Sequence, residues 1–116
     1  MPLTAIPTRR LRVLLDAHID KRLKKSITEH DVWTARDQRL ENLLDGQLLD
    51  VIDGRFDVLV TMDKSLRFQN RLKGRSFGVI LLRAKSNRIS DLLPLVPELL
   101  LSIPEAKPGE VSEIGG

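Results

Sequence analysis

Two aspartates stand at the ends of two apolar segments of the sequence. Asp16 directly follows residues 11–15, and Asp63 comes two residues after 58–61. In an open α/β sheet, the carboxyl ends of neighbouring parallel strands converge on one crevice, and ligands bind there. We therefore expect the two carboxylates to share a crevice. Hard oxygen ligands on rigid strand ends suit Mg²⁺ or Mn²⁺, so the pair predicts a divalent metal site.

Electrostatics favours a metal site over two neighbouring carboxylates that bind nothing. Two like charges ~4 Å apart repel by roughly 4 kcal/mol near a protein surface, so a neighbouring pair needs neutralisation. A bound cation would neutralise it, and so would a proton that raises the pKa of one carboxyl. Each aspartate alone also has an ordinary alternative, because Asp is a preferred N-cap residue. The paired placement favours the metal.

The composition bounds the class of protein. A chain of 116 residues has room for one core. Its apolar residues, 41% of the chain, are mostly aliphatic, with only three Phe, one Trp and no Tyr. The lack of cysteine excludes disulfides and thiolate metal ligands, which leaves oxygen, His18 and His30. It also fits a reducing cytoplasm, the predicted location. We expect no signal peptide and no membrane span, because no apolar run is long enough.

The basic residues are clustered, although the net charge is only +3. Clusters near an acidic metal crevice suit a phosphodiester substrate, because phosphates pair with Lys and Arg. The alternative is an ordinary solvated surface. The candidate nucleic-acid contacts are Lys21, Arg83, Lys85 and Arg88.

Apolar patterning predicts an α/β fold: three layers, α/β/α, with a mostly parallel central sheet. Predicted strands cover 11–15, 31–35, 57–61 and 77–82, with the first and third side by side. Two helices are predicted from apolar stripes: Ile19, Leu23 and Ile27, and Leu44, Leu48 and Ile52. A short helix is predicted over residues 64–72, and the last helix runs from Ser90 to Ile103 with a clear apolar face. Pro94 and Pro97 predict a distorted start to the last helix.

The chain divides into an N-terminal extension (1–10), one domain (11–103) and a tail (104–116). The tail is rich in Pro, Gly, Glu and Lys, which predicts an extended or flexible segment. Leu95 and Leu101 lie off the main apolar face of the last helix. They mark a candidate surface for a homodimer or another partner.

The order of short motifs resembles the PIN-like proteins of a domain family of unknown function. The motifs are Leu14-Leu15-Asp16, His30-Asp31-Val32, Asp45-Gly46-Gln47-Leu48-Leu49, Phe56-Asp57-Val58-Leu59-Val60-Thr61-Met62-Asp63, and Val79-Ile80-Leu81-Leu82-Arg83. PIN domains are similar to metal-dependent ribonucleases, and many are the toxin of a toxin–antitoxin pair. The resemblance implies that Asp16, Asp63 and Asp45 are catalytic and bind Mg²⁺ or Mn²⁺. It also implies RNA as substrate and an antitoxin protein as partner.

The sequence departs from this pattern at two positions. Ala17 and Gln47 stand where members of the family often have acids. An alternative is therefore a catalytically degenerate PIN-like module that binds RNA or a protein partner. A third hypothesis, a phosphoacceptor receiver domain, also has a strand-end Asp. It ranks behind the others because Ala17 breaks the expected acid pair and no fifth strand is evident from the sequence.

Overall fold

The protein contains one fully parallel five-stranded sheet. The computed structural model describes residues 10–43, 45–68 and 72–115, and for residues 45, 67 and 68 it describes the backbone alone. The strand order is β2-β1-β3-β4-β5. The strands are β1 (Arg12–Leu15), β2 (Asp31–Thr34), β3 (Val58–Thr61), β4 (Gly78–Arg83) and β5 (Val111–Gly115). The predicted parallel α/β fold is confirmed, and β1 and β3 are neighbours as expected.

Short helices connect the strands. The α-helices are α1 (Asp45–Ile52), α2 (Ile89–Leu92) and α3 (Val96–Ser102), and the 3₁₀ helices are Lys21–Ser26, Lys64–Phe68 and Leu93–Leu95. No helix in the described ranges is both long and apolar enough to cross a membrane.

Two apolar clusters lie on opposite faces of the sheet, because successive strand side chains point to opposite faces. Val13 and Leu15 belong to the first cluster, whereas Leu14 between them belongs to the second. Helices α2 and α3 and the 3₁₀ helix Lys21–Ser26 contribute to the first cluster through Leu92, Leu99 and Leu23. Helix α1 contributes to the second through Leu48, Leu49 and Ile52. The sheet is therefore the middle of three layers.

The first predicted helical stripe is buried, but the segment is a tighter helix than expected. Ile19, Leu23 and Ile27 all lie in the core. The 3₁₀ helix begins after Asp20, whose side chain accepts a hydrogen bond from the Arg22 backbone N–H. It ends with a bond from the Ile27 N–H to the Lys24 carbonyl, three residues earlier. The segment is thus a short, anchored wall beside the end of β1.

The last helix is interrupted where the two prolines predicted a distortion. Pro94 lies in the 3₁₀ segment Leu93–Leu95, and Pro97 lies in the first turn of α3. Proline is tolerated in a first turn because its missing N–H would have no intrahelical partner there. The regular helix therefore begins at Val96, close to the predicted position.

Residues 111–115 belong to the segment predicted to be extended or flexible, and they are part of the sheet. They form β5, which pairs in parallel with β4 from Val79↔Val111 to Arg83↔Gly115. Ile114 is only 4% exposed and packs into the first apolar cluster. Gly78 permits close packing nearby, because a Cβ there would lie 2.7 Å from the Lys107 carbonyl oxygen. The backbone pairing partner of this polar segment is distant in sequence, and composition does not reveal it.

Candidate metal and nucleic-acid site

Asp16 and Asp63 are connected through a buried threonine at the carboxyl ends of β1 and β3. The Asp16 N–H donates to the Val60 carbonyl (2.9 Å), so the pairing of the two strands continues past the end of β1. Thr61 is fully buried, and its Oγ1 donates to Asp16 Oδ2 (2.7 Å). The same Oγ1 accepts from the Asp63 N–H (3.1 Å). The hydroxyl thus fixes one carboxylate oxygen and the backbone of the second aspartate.

Both aspartates also accept hydrogen bonds from residues that follow them closely in the chain. Asp16 Oδ1 accepts from the Ala17 N–H (2.8 Å), and Asp63 Oδ1 accepts from the Ser65 N–H and Oγ (3.0 and 2.7 Å). Asp63 Oδ2 accepts no hydrogen bond from the described residues. A carboxylate oxygen has two lone pairs, so these bonds orient the groups and still leave acceptor capacity.

The two aspartates line one crevice, as the sequence predicted. This cavity of about 480 Å³ has a third acid, Glu41, and we call it the acidic crevice. Its other walls are mainly apolar and include Leu40, Leu43, Leu48 and Met62. Glu41 could not be predicted as a site residue from the sequence, because it lies in a polar loop without periodicity. The position of this loop depends on a turn, in which the N–H of the neighbouring Leu40 donates to the Ala35 carbonyl (2.8 Å).

A second cavity of about 830 Å³ adjoins the first and has the opposite charge. We call it the basic groove, and its cations are Lys21, Arg22, Lys24, Lys25 and Arg36. The two cavities share Asp16, Ala17, His18 and Glu41, so they meet at the end of β1. No cation of the groove lines the acidic crevice. The site therefore has an acidic half and a basic half.

Two of the groove cations are held by carboxylates. Arg22 binds Asp20 through two nitrogens (3.1 and 2.7 Å), and hydrogen bonding to that side chain lowers the pKa of Asp20 to about 2. Lys24 Nζ binds Asp37 Oδ2 (3.1 Å). The pKa of Asp37 is lowered first by the Thr34 backbone N–H and then by Lys24. Both carboxylates thus remain charged partners near neutral pH.

The other predicted site residues are placed less centrally. Asp45 is the first residue of α1, but its side chain lies outside what the structure describes, so its role stays a prediction. Lys21 lines the basic groove. Arg83 pairs with Glu113 (3.8 Å), and Lys85 and Arg88 are exposed after β4. None of these three lines either cavity. Their loop nevertheless contacts the site, because Asn87 Nδ2 donates to the His18 carbonyl (2.9 Å).

The donor set suits a weakly held cation. Within residues 10–43, 45–68 and 72–115, no three or more His, Cys, Asp or Glu side chains form a group that could hold a metal ion. Mg²⁺ is usually bound by one or two carboxylates and completes its octahedral shell with water and substrate phosphates. Asp16 and Asp63 would supply the two carboxylates of such an arrangement.

Thr61→Val is expected to impair the site more than the fold. Valine has nearly the same shape, but it removes the hydroxyl that donates to Asp16 Oδ2 and accepts from the Asp63 N–H. Loss of a group that orients a metal ligand lowers affinity or activity by roughly 10- to 100-fold. Calorimetry with Mn²⁺ measures this loss, and Thr61→Ser, which keeps the hydroxyl, is the control. Equal Mn²⁺ affinity in both variants would show that the hydroxyl does not orient the site.

Comparisons with known proteins do not add a family or a relative to these observations. No protein-family model matches the chain, and neither the curated proteins nor the solved structures contain a significant match.

Proposed function

We propose that this chain is a metal-dependent endoribonuclease of PIN-like type. The observation that carries the proposal is the junction at Asp16 between the acidic crevice and the basic groove. A phosphodiester substrate needs both halves, because its phosphates pair with cations while a divalent ion acts on the reacting phosphate.

The residues of the acidic crevice would bind the metal ion and position water. Asp16 and Asp63 would hold Mg²⁺ or Mn²⁺, with Thr61 fixing the orientation of the first carboxylate. When bound, the ion would supply a nucleophilic water at neutral pH and would stabilise the charge that develops on the phosphate. Glu41, which also lines the acidic crevice, is suited to orient a water through its carboxylate. Asp45 stays a candidate third ligand at the start of α1.

A degenerate module is the second candidate, and a specific observation favours it. Ala17 is exposed at the junction of the two cavities, where an acid is common in similar proteins. A site without that acid would keep its RNA-binding groove and lose turnover. The receiver hypothesis gains the fifth strand that the sequence did not reveal, but Ala17 still leaves it without its second acid.

The toxin role is part of the same proposal. An antitoxin would bind this chain and block the crevice or the groove. A small DNA-binding protein encoded beside this chain would support that role, and its co-purification with the chain would test it.

Mn²⁺ binding is expected to be weak and to depend on both aspartates. Asp16→Asn and Asp63→Asn should each lower Mn²⁺ affinity by roughly 10- to 100-fold, because each removes a charged oxygen donor. Isothermal calorimetry without RNA measures this. The matched control is Asp31→Asn, the same change at the amino end of β2, whereas the site lies at the carboxyl ends of β1 and β3. Equal binding by all four proteins would contradict the proposed function.

A further inference from the structure

The cations of the basic groove differ in what holds them. Arg22 and Lys24 are paired with Asp20 and Asp37. Lys21, Lys25 and Arg36 have no carboxylate partner among the described residues, and all three are exposed. The groove therefore carries three cations that are available to an external anion.

The walls that present these cations are well anchored. On one side, the 3₁₀ helix Lys21–Ser26 is fixed by Leu23, which is fully buried. On the other side, the turn after β2 is closed by reciprocal bonds: the Thr34 N–H donates to Asp37 Oδ2 (2.9 Å), and the Asp37 N–H donates to Thr34 Oγ1 (3.0 Å). Binding an anion between these walls would require little backbone ordering, which favours affinity.

We propose that the basic groove is the path of single-stranded RNA on one side of the reacting phosphate, with Lys21, Lys25 and Arg36 as its phosphate contacts. This rests on the proposed function, because it takes the acidic crevice as the place of cleavage. The acids of the groove are Asp16, Glu41 and Asp37. The first two lie at the junction with the crevice, and Asp37 is neutralised by Lys24, so the path between the walls is basic.

The groove should bind RNA with little sequence preference. No Phe, Tyr or Trp lines its described surface, so stacking of bases on aromatic rings contributes nothing there. Phosphate contacts carry no sequence information by themselves, and they make binding strongly dependent on salt.

The Lys24–Asp37 ion pair links the two walls, and its groups are 45% and 40% exposed. It holds back a fourth cation that the RNA would otherwise meet.

The test is RNA binding as a function of salt, measured in EDTA so that no cleavage occurs. The probe is a fluorescein-labelled oligouridine, followed by fluorescence anisotropy. Each lost phosphate contact lowers the log–log slope by roughly 0.7 for single strands. Lys21→Ala with Lys25→Ala should therefore lower the slope by about 1.4, which is about 25-fold in affinity at 0.1 M salt if the curves meet near 1 M. Arg36→Ala should lower the slope by about 0.7.

A matched double variant controls for the loss of two charges. Lys73 and Lys107 are exposed, and the segments that carry them lie near the amino end of β4, whereas the site lies at the carboxyl ends of β1 and β3. Lys73→Ala with Lys107→Ala should leave the slope almost unchanged. Asp37→Asn should have the opposite effect, because it frees Lys24: affinity should rise about fivefold at 0.1 M salt.

Several outcomes would overturn the proposed RNA path along the basic groove, and they differ from the outcomes that would overturn the nuclease proposal. Equal slopes for the two lysine pairs would overturn it, and so would a larger loss in Arg83→Ala with Lys85→Ala and Arg88→Ala. If Lys21→Ala with Lys25→Ala lowers the binding of polyglutamate, measured as a second probe, and leaves RNA binding unchanged, the groove is a site for acidic peptides instead. Wild-type protein that binds RNA through the groove but cleaves none with Mg²⁺ or Mn²⁺ would end only the nuclease proposal.

Discussion

Asp16→Asn is expected to lower the metal-dependent cleavage of single-stranded RNA by at least about 100-fold, because even residues that only orient metal ligands contribute 10- to 100-fold. Asparagine keeps the shape of the side chain and can still accept the hydrogen bond from the Ala17 N–H. It removes the charge that would hold the cation beside the phosphate. Cleavage of a labelled RNA with Mg²⁺, with Mn²⁺ and with EDTA measures the effect.

Two further measurements separate an inactive site from an unfolded protein. The melting temperature of Asp16→Asn should stay close to that of the wild type, and Asp31→Asn should keep full activity. Cleavage that is unchanged in Asp16→Asn would contradict the nuclease proposal.

If the wild type itself binds RNA and cleaves none, Ala17→Glu with Gln47→Glu should produce metal-dependent cleavage. No gain from these acids would favour a module that resembles nucleases in fold alone.

Ile114→Ala is expected to destabilise the whole domain by about 2 to 5 kcal/mol, the usual range when a buried aliphatic side chain is cut to alanine. Ile114 is the buried residue of β5 and packs into the cluster that contains Val13 and Leu15 of β1. That is a large share of a typical stability of about 5 to 15 kcal/mol. Urea unfolding followed by circular dichroism measures the change.

Ser112→Ala in the same strand is the control for Ile114→Ala. Ser112 is exposed, and its substitution should change the free energy of unfolding by less than about 0.5 kcal/mol. If residues 111–115 were not packed on the sheet, both variants would be as stable as the wild type. A large loss for Ile114→Ala alone would confirm that residues 111–115 belong to the folded core.

The central strands and most helices were predictable because their apolar residues repeat with regular periods. β1, β3 and β4 are buried on both faces, and such strands are continuous aliphatic runs in the sequence. The last helix shows a clear helical period, and its prolines mark the distorted turns. The sequence did not reveal β5, because its place depends on the backbone of β4 more than 30 residues earlier, and only Ile114 of its residues is buried.

The candidate site was predictable only in part. Asp16 and Asp63 follow strands, so a rule about strand ends was enough to bring them together. Glu41 and Arg36 lie in a loop, where position depends on turns such as the bond from the Leu40 N–H to the Ala35 carbonyl. Pairing of Lys24 with Asp37 likewise joins residues on different elements. No one-dimensional pattern encodes such contacts, so the basic groove emerges only from the three-dimensional arrangement.

The all-parallel sheet also bears on how fast this chain reaches its folded state. The registers join Arg12 to Asp31, Val13 to Val58, Val58 to Gly78 and Val79 to Val111, so each strand pair closes a loop of about 19 residues or more. No hairpin exists among these strands to act as a local nucleus. The entropy cost of closing these loops must therefore be met before the strand contacts can stabilise the chain. This slows folding and prolongs the exposure of the aliphatic strands. Aggregation during refolding is the hazard that this topology creates.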